Sequence, residues 1–136
     1  MILIGGQALK ELGSDRYTDD IDYLVFSEKH TSPFLTGKDT DYLNAASNSF
    51  AGKFFNEIYK IEKGNKIASP QSLLELKVFA FVQHCQNMNW AKVDSSEYDI
   101  KFLVRKFGLK STKIVNKYIS SGELSEAQKI INEVKK

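Results

Sequence analysis

Apolar residues follow two styles along this chain. In the first half they come in short runs: Ile2-Leu3-Ile4, then Ile21 to Phe26 with Asp22 inside it. Short runs rich in β-branched and aromatic residues, bounded by turn residues, predict strands. Gly5-Gly6 reads as the turn after the first run. Residues 7–12 read as a short helix that Gly13 ends, and residues 14–19 as a polar loop. Residues 27–40 are polar, carry Pro33 and Gly37, and read as a loop. Phe50, Phe54, Phe55, Ile58 and Ile61 form an imperfect helical stripe. Residues 54–61 fit a strand equally well, with Gly64-Asn65 turning a hairpin back through residues 66–68.

The second style begins at Ser69-Pro70, an N-cap followed by proline at the first helical position. Leu73, Leu74, Leu76, Val78, Phe79, Phe81 and Val82 then predict a helix apolar on most sides, hence buried. Residues 87–94 read as a polar connection. Ser95 or Ser96 is placed to cap a helix with Ile100, Leu103 and Phe107 on one face and Gly108 at its end. Ile114, Val115, Tyr118 and Ile119 mark a further helix. Leu124, Ala127, Ile130, Ile131 and Val134 mark a last one, starting after Gly122. The expectation is therefore an α+β protein: a mixed-sheet core over 1–68 and a helical bundle over 69–136. The abrupt start at Ile2 predicts an edge strand, or a chain lacking a segment that related proteins carry.

The 136 residues are enough for a core without disulfides, and Cys85, the only cysteine, has no partner in the chain. That usage fits a reducing compartment. With no stretch apolar enough to span a bilayer and no secretory leader pattern, the expected location is the cytoplasm. The formal net charge of +2 gives no strong global field. Locally, residues 15–22 are acidic and residues 101–117 basic, which permits an RNA-facing patch.

Candidate chemistry is concentrated in "LIGGQALKELGSDRYTDDIDYLVF", residues 3–26. Strand, Gly5-Gly6, then helix is an arrangement that directs backbone N–H groups at an anion and lets a phosphate approach closely. Read alone, it fits a simple tight turn better. Asp20 and Asp22, two residues apart, would share one face of a strand and could hold one Mg²⁺ or bridge two ions. Read alone, Asp20 is equally a turn residue and Asp22 a solvent-facing one. Arg16 suits bidentate phosphate binding and Thr18 a loop-fixing or ligand contact. Lys77 lies in an apolar helix, where an ammonium needs an anion or must snorkel to the edge. Asp99 reads as lying on the polar edge of its helix, with Lys101 or Arg105 as ordinary partners. His84 and Cys85 lack further ligands at zinc spacing and read as structural. Trp90 reads as a packing residue.

In combination, Gly-Gly-x-Ala, Gly13 and Arg16-x-Thr18-x-Asp20-Ile21-Asp22 resemble the signature of the nucleotidyltransferase superfamily, most of all its AbiEii-type branch. That branch includes nucleotidyltransferase toxins of toxin–antitoxin systems. "IASPQSLLELKVFAF" (67–81) and "KVDSSEYDIKFLVRKFGL" (92–109) are similar to its later segments, so the resemblance covers most of residues 2–109. It implies transfer of a nucleoside monophosphate from a nucleoside triphosphate to an acceptor hydroxyl, with Mg²⁺ or Mn²⁺. The resemblance suggests an RNA acceptor, tRNA among the candidates, and leaves a protein or small molecule open as acceptor; a role as toxin in a toxin–antitoxin or phage-defence system, with an antitoxin partner, is implied as well. By resemblance, Gly5, Gly6, Arg16, Thr18 and Lys77 would bind the nucleotide, Asp20 and Asp22 would hold the metal, and Asp20, Asp22, Lys77 and Asp99 would serve catalysis. The chain departs from the wider superfamily in showing no apolar-Asp-apolar strand between Ser27 and Ala68 for a third carboxylate; Asp39 and Asp41 stand in a polar stretch. The alternative is a catalytically degenerate nucleotide-binding or partner-binding module.

Overall fold

The structure is a computed structural model that describes residues 1–134; the last two residues of the helical half lie outside them. The fold is α+β, with a mixed sheet in the first half and helices in the second. It divides into two compact units, Met1–Ser69 and Pro70–Lys136.

In the first unit the strands are β1 (Ile2–Ile4), β2 (Ile21–Val25), β3 (Phe34–Thr36) and β4 (Thr40–Asn44), in the order β1-β2-β4-β3. β1 runs antiparallel to β2, β2 parallel to β4, and β3 antiparallel to β4. Helix α1 (Gly5–Glu11) follows β1, and α2 (Phe50–Glu62) follows β4. The core of this unit is built from Ile2, Ile4, Leu24, Leu9, Phe54, Phe55 and Ile58, each at most 3% exposed. α2 lies on the sheet face that carries Leu24: Phe55 meets the Phe34 ring edge-on at 5.6 Å, and Tyr59 meets Phe26 at 5.7 Å. Tyr23 and Tyr42, register partners, stack at 6.3 Å on the other face.

Several local expectations are corrected. Gly5-Gly6 forms the first two residues of α1, not a turn preceding it. The expected loop over 27–40 contains β3 and leads into β4 through a turn at 37–39. Residues 50–62 are helical throughout. No hairpin returns through 66–68; Ile67 instead makes one parallel bridge with Leu3. Glu62, 1% exposed, holds this return by accepting hydrogen bonds from Ser69 N (3.0 Å), Ser69 Oγ (2.6 Å) and Asn65 Nδ2 (3.0 Å).

The second unit contains α3 (Pro70–Gln86), α4 (Trp90–Phe107) and α5 (Ser121–Val134), with no strand among its described residues. α3 buries Leu73, Leu74, Leu76, Val78, Phe79, Phe81 and Val82, the run that predicted it. α4 starts earlier than expected: the Asn89 side chain, not Ser95 or Ser96, caps it by accepting from Lys92 N, and Gly108, with φ 66°, ends it. The helix expected around Ile114–Ile119 is one 3₁₀ turn at Val115–Lys117. α5 begins at Ser121, before Gly122. Ser120 Oγ accepts from Glu123 N (3.1 Å) while Glu123 Oε1 accepts from Ser120 N (2.8 Å), a reciprocal capping box. Among the described residues no helix is long and apolar enough to cross a membrane.

Candidate functional site

Of the first motif, Gly5, Gly6, Thr18 and Asp22 come together around the start of α1. Gly5 has φ 68°, a conformation that side chains beyond glycine adopt only with strain. A methyl group on Gly5 would sit 2.5 Å from Asp22 Oδ2, and one on Gly6 would sit 2.5 Å from Thr18 Cγ2. Both glycines are therefore required by close approach: the Asp22 carboxylate and the Thr18 side chain occupy the space that Cβ atoms would take. The loop between α1 and β2 is held in that position by Gln7 Nε2, which donates to Thr18 O (3.1 Å), and by Thr18 Oγ1, which accepts from Asp20 N (3.2 Å). Arg16 Nη1 reaches back to Tyr17 O at 3.4 Å, on the same loop.

The two aspartates are less alike than their spacing suggests. Asp22 lies within β2 and is half-buried; Asp20 precedes the strand and is exposed. Asp20 lines a shallow polar cavity of about 260 Å³ with Asp19, Thr36, Lys38, Asp39 and Asp41. β4 supplies a carboxylate that sequence reasoning missed. Asp41 is the register partner of Asp22 in the parallel β2–β4 pair, so the two side chains leave the sheet on one face from adjacent strands. The polar run Lys38-Asp39-Thr40-Asp41 concealed this strand, and 41–44 carry no polar–apolar alternation that could have found it, since each face has one polar and one apolar residue. Asn44 is fully buried in a polar guise: its Nδ2 donates to Ser27 O, His30 O and Ser32 O, and its Oδ1 accepts from Ser27 N.

Among the described residues no three His, Cys, Asp or Glu side chains are grouped to hold a metal ion. Magnesium keeps several waters and commonly takes only one or two carboxylates, its remaining ligands being substrate phosphates. Asp22, half-buried against Gly5, and the exposed Asp20 two residues before it are carboxylates of the number that requirement asks for.

Lys77 and Asp99 meet in the second unit. Lys77 Nζ lies 2.8 Å from Asp99 Oδ2, with the lysine side chain 16% exposed and the aspartate 1%. Asp99 is thus buried in the α3–α4 interface and not on a polar helix edge, and its partner is neither Lys101 nor Arg105. Lys77 does snorkel, but to this carboxylate. α3 and α4 run antiparallel, and His84 and Lys92 lie seven residues, two helical turns, beyond the Lys77–Asp99 rung on their respective helices. Burial, then the Lys92 and Lys77 ammonium groups, hold His84 below its ordinary value, so the imidazole is neutral at neutral pH. Burial first, then Glu126, Glu123 and Glu97, pushes the Cys85 thiol up, so it is no activated thiolate. Trp90, read as a packing residue, is 60% exposed at the start of α4.

Comparison with protein-family models, with curated proteins and with solved structures finds no match to this chain.

Proposed function

We propose that this protein is a metal-dependent nucleotidyltransferase that moves a nucleoside monophosphate from a nucleoside triphosphate to an acceptor hydroxyl. The observation that carries the reading is the convergence of Gly5, Gly6, Thr18 and Asp22. These residues are up to seventeen positions apart, yet Asp22 and Thr18 pack against the glycines at distances that exclude any Cβ. An acceptor oxygen attacks the α-phosphorus and pyrophosphate departs. The chain's task is positioning and charge neutralisation. The glycines let Asp22 and Thr18 pack against the start of α1, and Arg16 adds a planar cation on the adjoining loop. Asp20 and Asp22 would hold a divalent ion, Mg²⁺ or Mn²⁺, which when bound neutralises phosphate charge. The resemblance also assigns roles to Lys77 and Asp99, which pair with each other within the second unit. RNA, tRNA included, is the acceptor class the resemblance favours, and the same resemblance favours a toxin or phage-defence role with an antitoxin partner, in the cytoplasm.

A second reading, a catalytically degenerate nucleotide- or partner-binding module, is favoured by two observations: no three-ligand metal group is formed among the described residues, and Lys77 is already paired. The two readings separate on incubation with each α-labelled triphosphate, Mg²⁺ and total cellular RNA. Label retained on RNA is the result expected of a transferase. Triphosphate binding by calorimetry with no label transferred to RNA, protein or small acceptors would favour the module.

A further inference from the structure

From Ile100 to Gly122 the chain has six cations and no acid, so this stretch alone carries +6 while the whole chain carries +2 and the remainder −4. Lys101 is neutralised, its ammonium 3.0 Å from Glu97 and 3.6 Å from Glu133. The other five, Arg105, Lys106, Lys110, Lys113 and Lys117, are all exposed. A solvated loop would leave such charges dispersed, but this backbone is pinned. Glu75, 1% exposed, accepts from Lys113 N (2.8 Å) and Val115 N (2.9 Å). Gln71 Nε2 donates to Ser111 O (3.1 Å) and Gln128 Nε2 to Lys110 O (2.9 Å). Thr112, 3% exposed, and Asn116 bond reciprocally across the turn, at 2.6 and 3.0 Å. The buried polar side chains thus face inward and hold the main chain, while the lysines point out. Two of the cations sit over aromatic rings, Lys106 over Phe102 at 5.9 Å and Lys117 over Tyr118 at 6.0 Å.

We infer that the end of α4 and the pinned segment 109–117 form a preorganised surface for the phosphate backbone of a single-stranded nucleic acid. Successive cations on a held main chain, without intervening acids in the sequence, match a polymer of regularly spaced phosphates, and a backbone held in place beforehand lowers the ordering entropy of binding. The surface does not rest on the transferase reading, because its binding requires neither triphosphate nor metal.

The test is fluorescence anisotropy of the whole protein with a labelled twenty-nucleotide RNA of mixed sequence, over a salt series without Mg²⁺. Five contacts predict a slope of log affinity against log salt of about −3.5 for a single strand. The triple variant Lys110→Gln, Lys113→Gln, Lys117→Gln should retain the wild-type melting temperature and lose about two units of that slope. A control of equal charge loss on α2 and its C-cap, Lys53→Gln, Lys60→Gln, Lys63→Gln, should keep it. No binding at low salt, an equal loss of slope in both triple variants, or displacement of the RNA by polyglutamate of equal charge at equal concentration would overturn the assignment.

Discussion

Lys77 and Asp99 define what a single substitution can report. A carboxylate 1% exposed beside an ammonium at 2.8 Å loses that cation when the lysine is removed, and the buried charge is then costly. Lys77→Ala is therefore expected to lower stability by about 3 kcal/mol, the low end of the range for broken buried pairs because the lysine remains partly hydrated. Chemical denaturation checks this; an unchanged midpoint would mean that the pair contributes nothing to the fold. The sequence alone showed that this ammonium needs an anion or must snorkel but did not name the anion, because its partner lies twenty-two residues away on another helix. Gly5→Ala is expected to destabilise more than an exposed glycine change would, since it adds a positive-φ strain to a contact with the Asp22 carboxylate. A melting temperature equal to wild type would contradict the close approach.

At the scale of elements, α5 depends on its cap. Ser120 and Glu123 satisfy each other's backbone N–H groups, and Gln86 Nε2 donates to Glu123 Oε2 at 2.7 Å. The Ser120 N–H, then the Gln86 amide, hold the Glu123 carboxyl below its ordinary value of 4.5. A depressed carboxyl stabilises the fold fully above its unfolded value, and that contribution fades as pH falls through the folded value. The melting-temperature difference between wild type and Glu123→Gln should accordingly shrink as pH is lowered from about 6 to about 3. A difference that is constant or grows on acidification would assign the cap no ionic part. Ser120→Ala should lower stability by about 1 kcal/mol. The elements legible from the sequence were those whose apolar pattern is self-sufficient: β1, β2, α3 and, apart from their starts, α1, α4 and α5. Those that were not legible owe their form to distant polar partners. β4 is polar at its start and ends in Asn44, buried only because three carbonyls and two backbone N–H groups receive it. The segment around Val115 looks helical by spacing, but Glu75 captures its N–H groups and leaves a single 3₁₀ turn.

For the molecule as a whole, the division at Ser69 and Pro70 gathers Gly5, Gly6, Arg16, Thr18, Asp20 and Asp22 into one unit and Lys77 and Asp99 into the other. The glycine-and-aspartate cluster could be read from sequence because its parts lie in one short stretch; Asp41 could not, since only strand register brings it beside Asp22. The central claim is that Asp22 serves phosphoryl-group transfer rather than the fold. It is tested most directly by label transfer from each α-labelled triphosphate to cellular RNA in Mg²⁺, wild type against Asp22→Asn, with both proteins shown to melt alike. The account expects Mg²⁺-dependent labelling by the wild type and a loss of at least about a hundredfold in the variant, the scale of removing a transition-state charge contact. Equal labelling by the two proteins would contradict it.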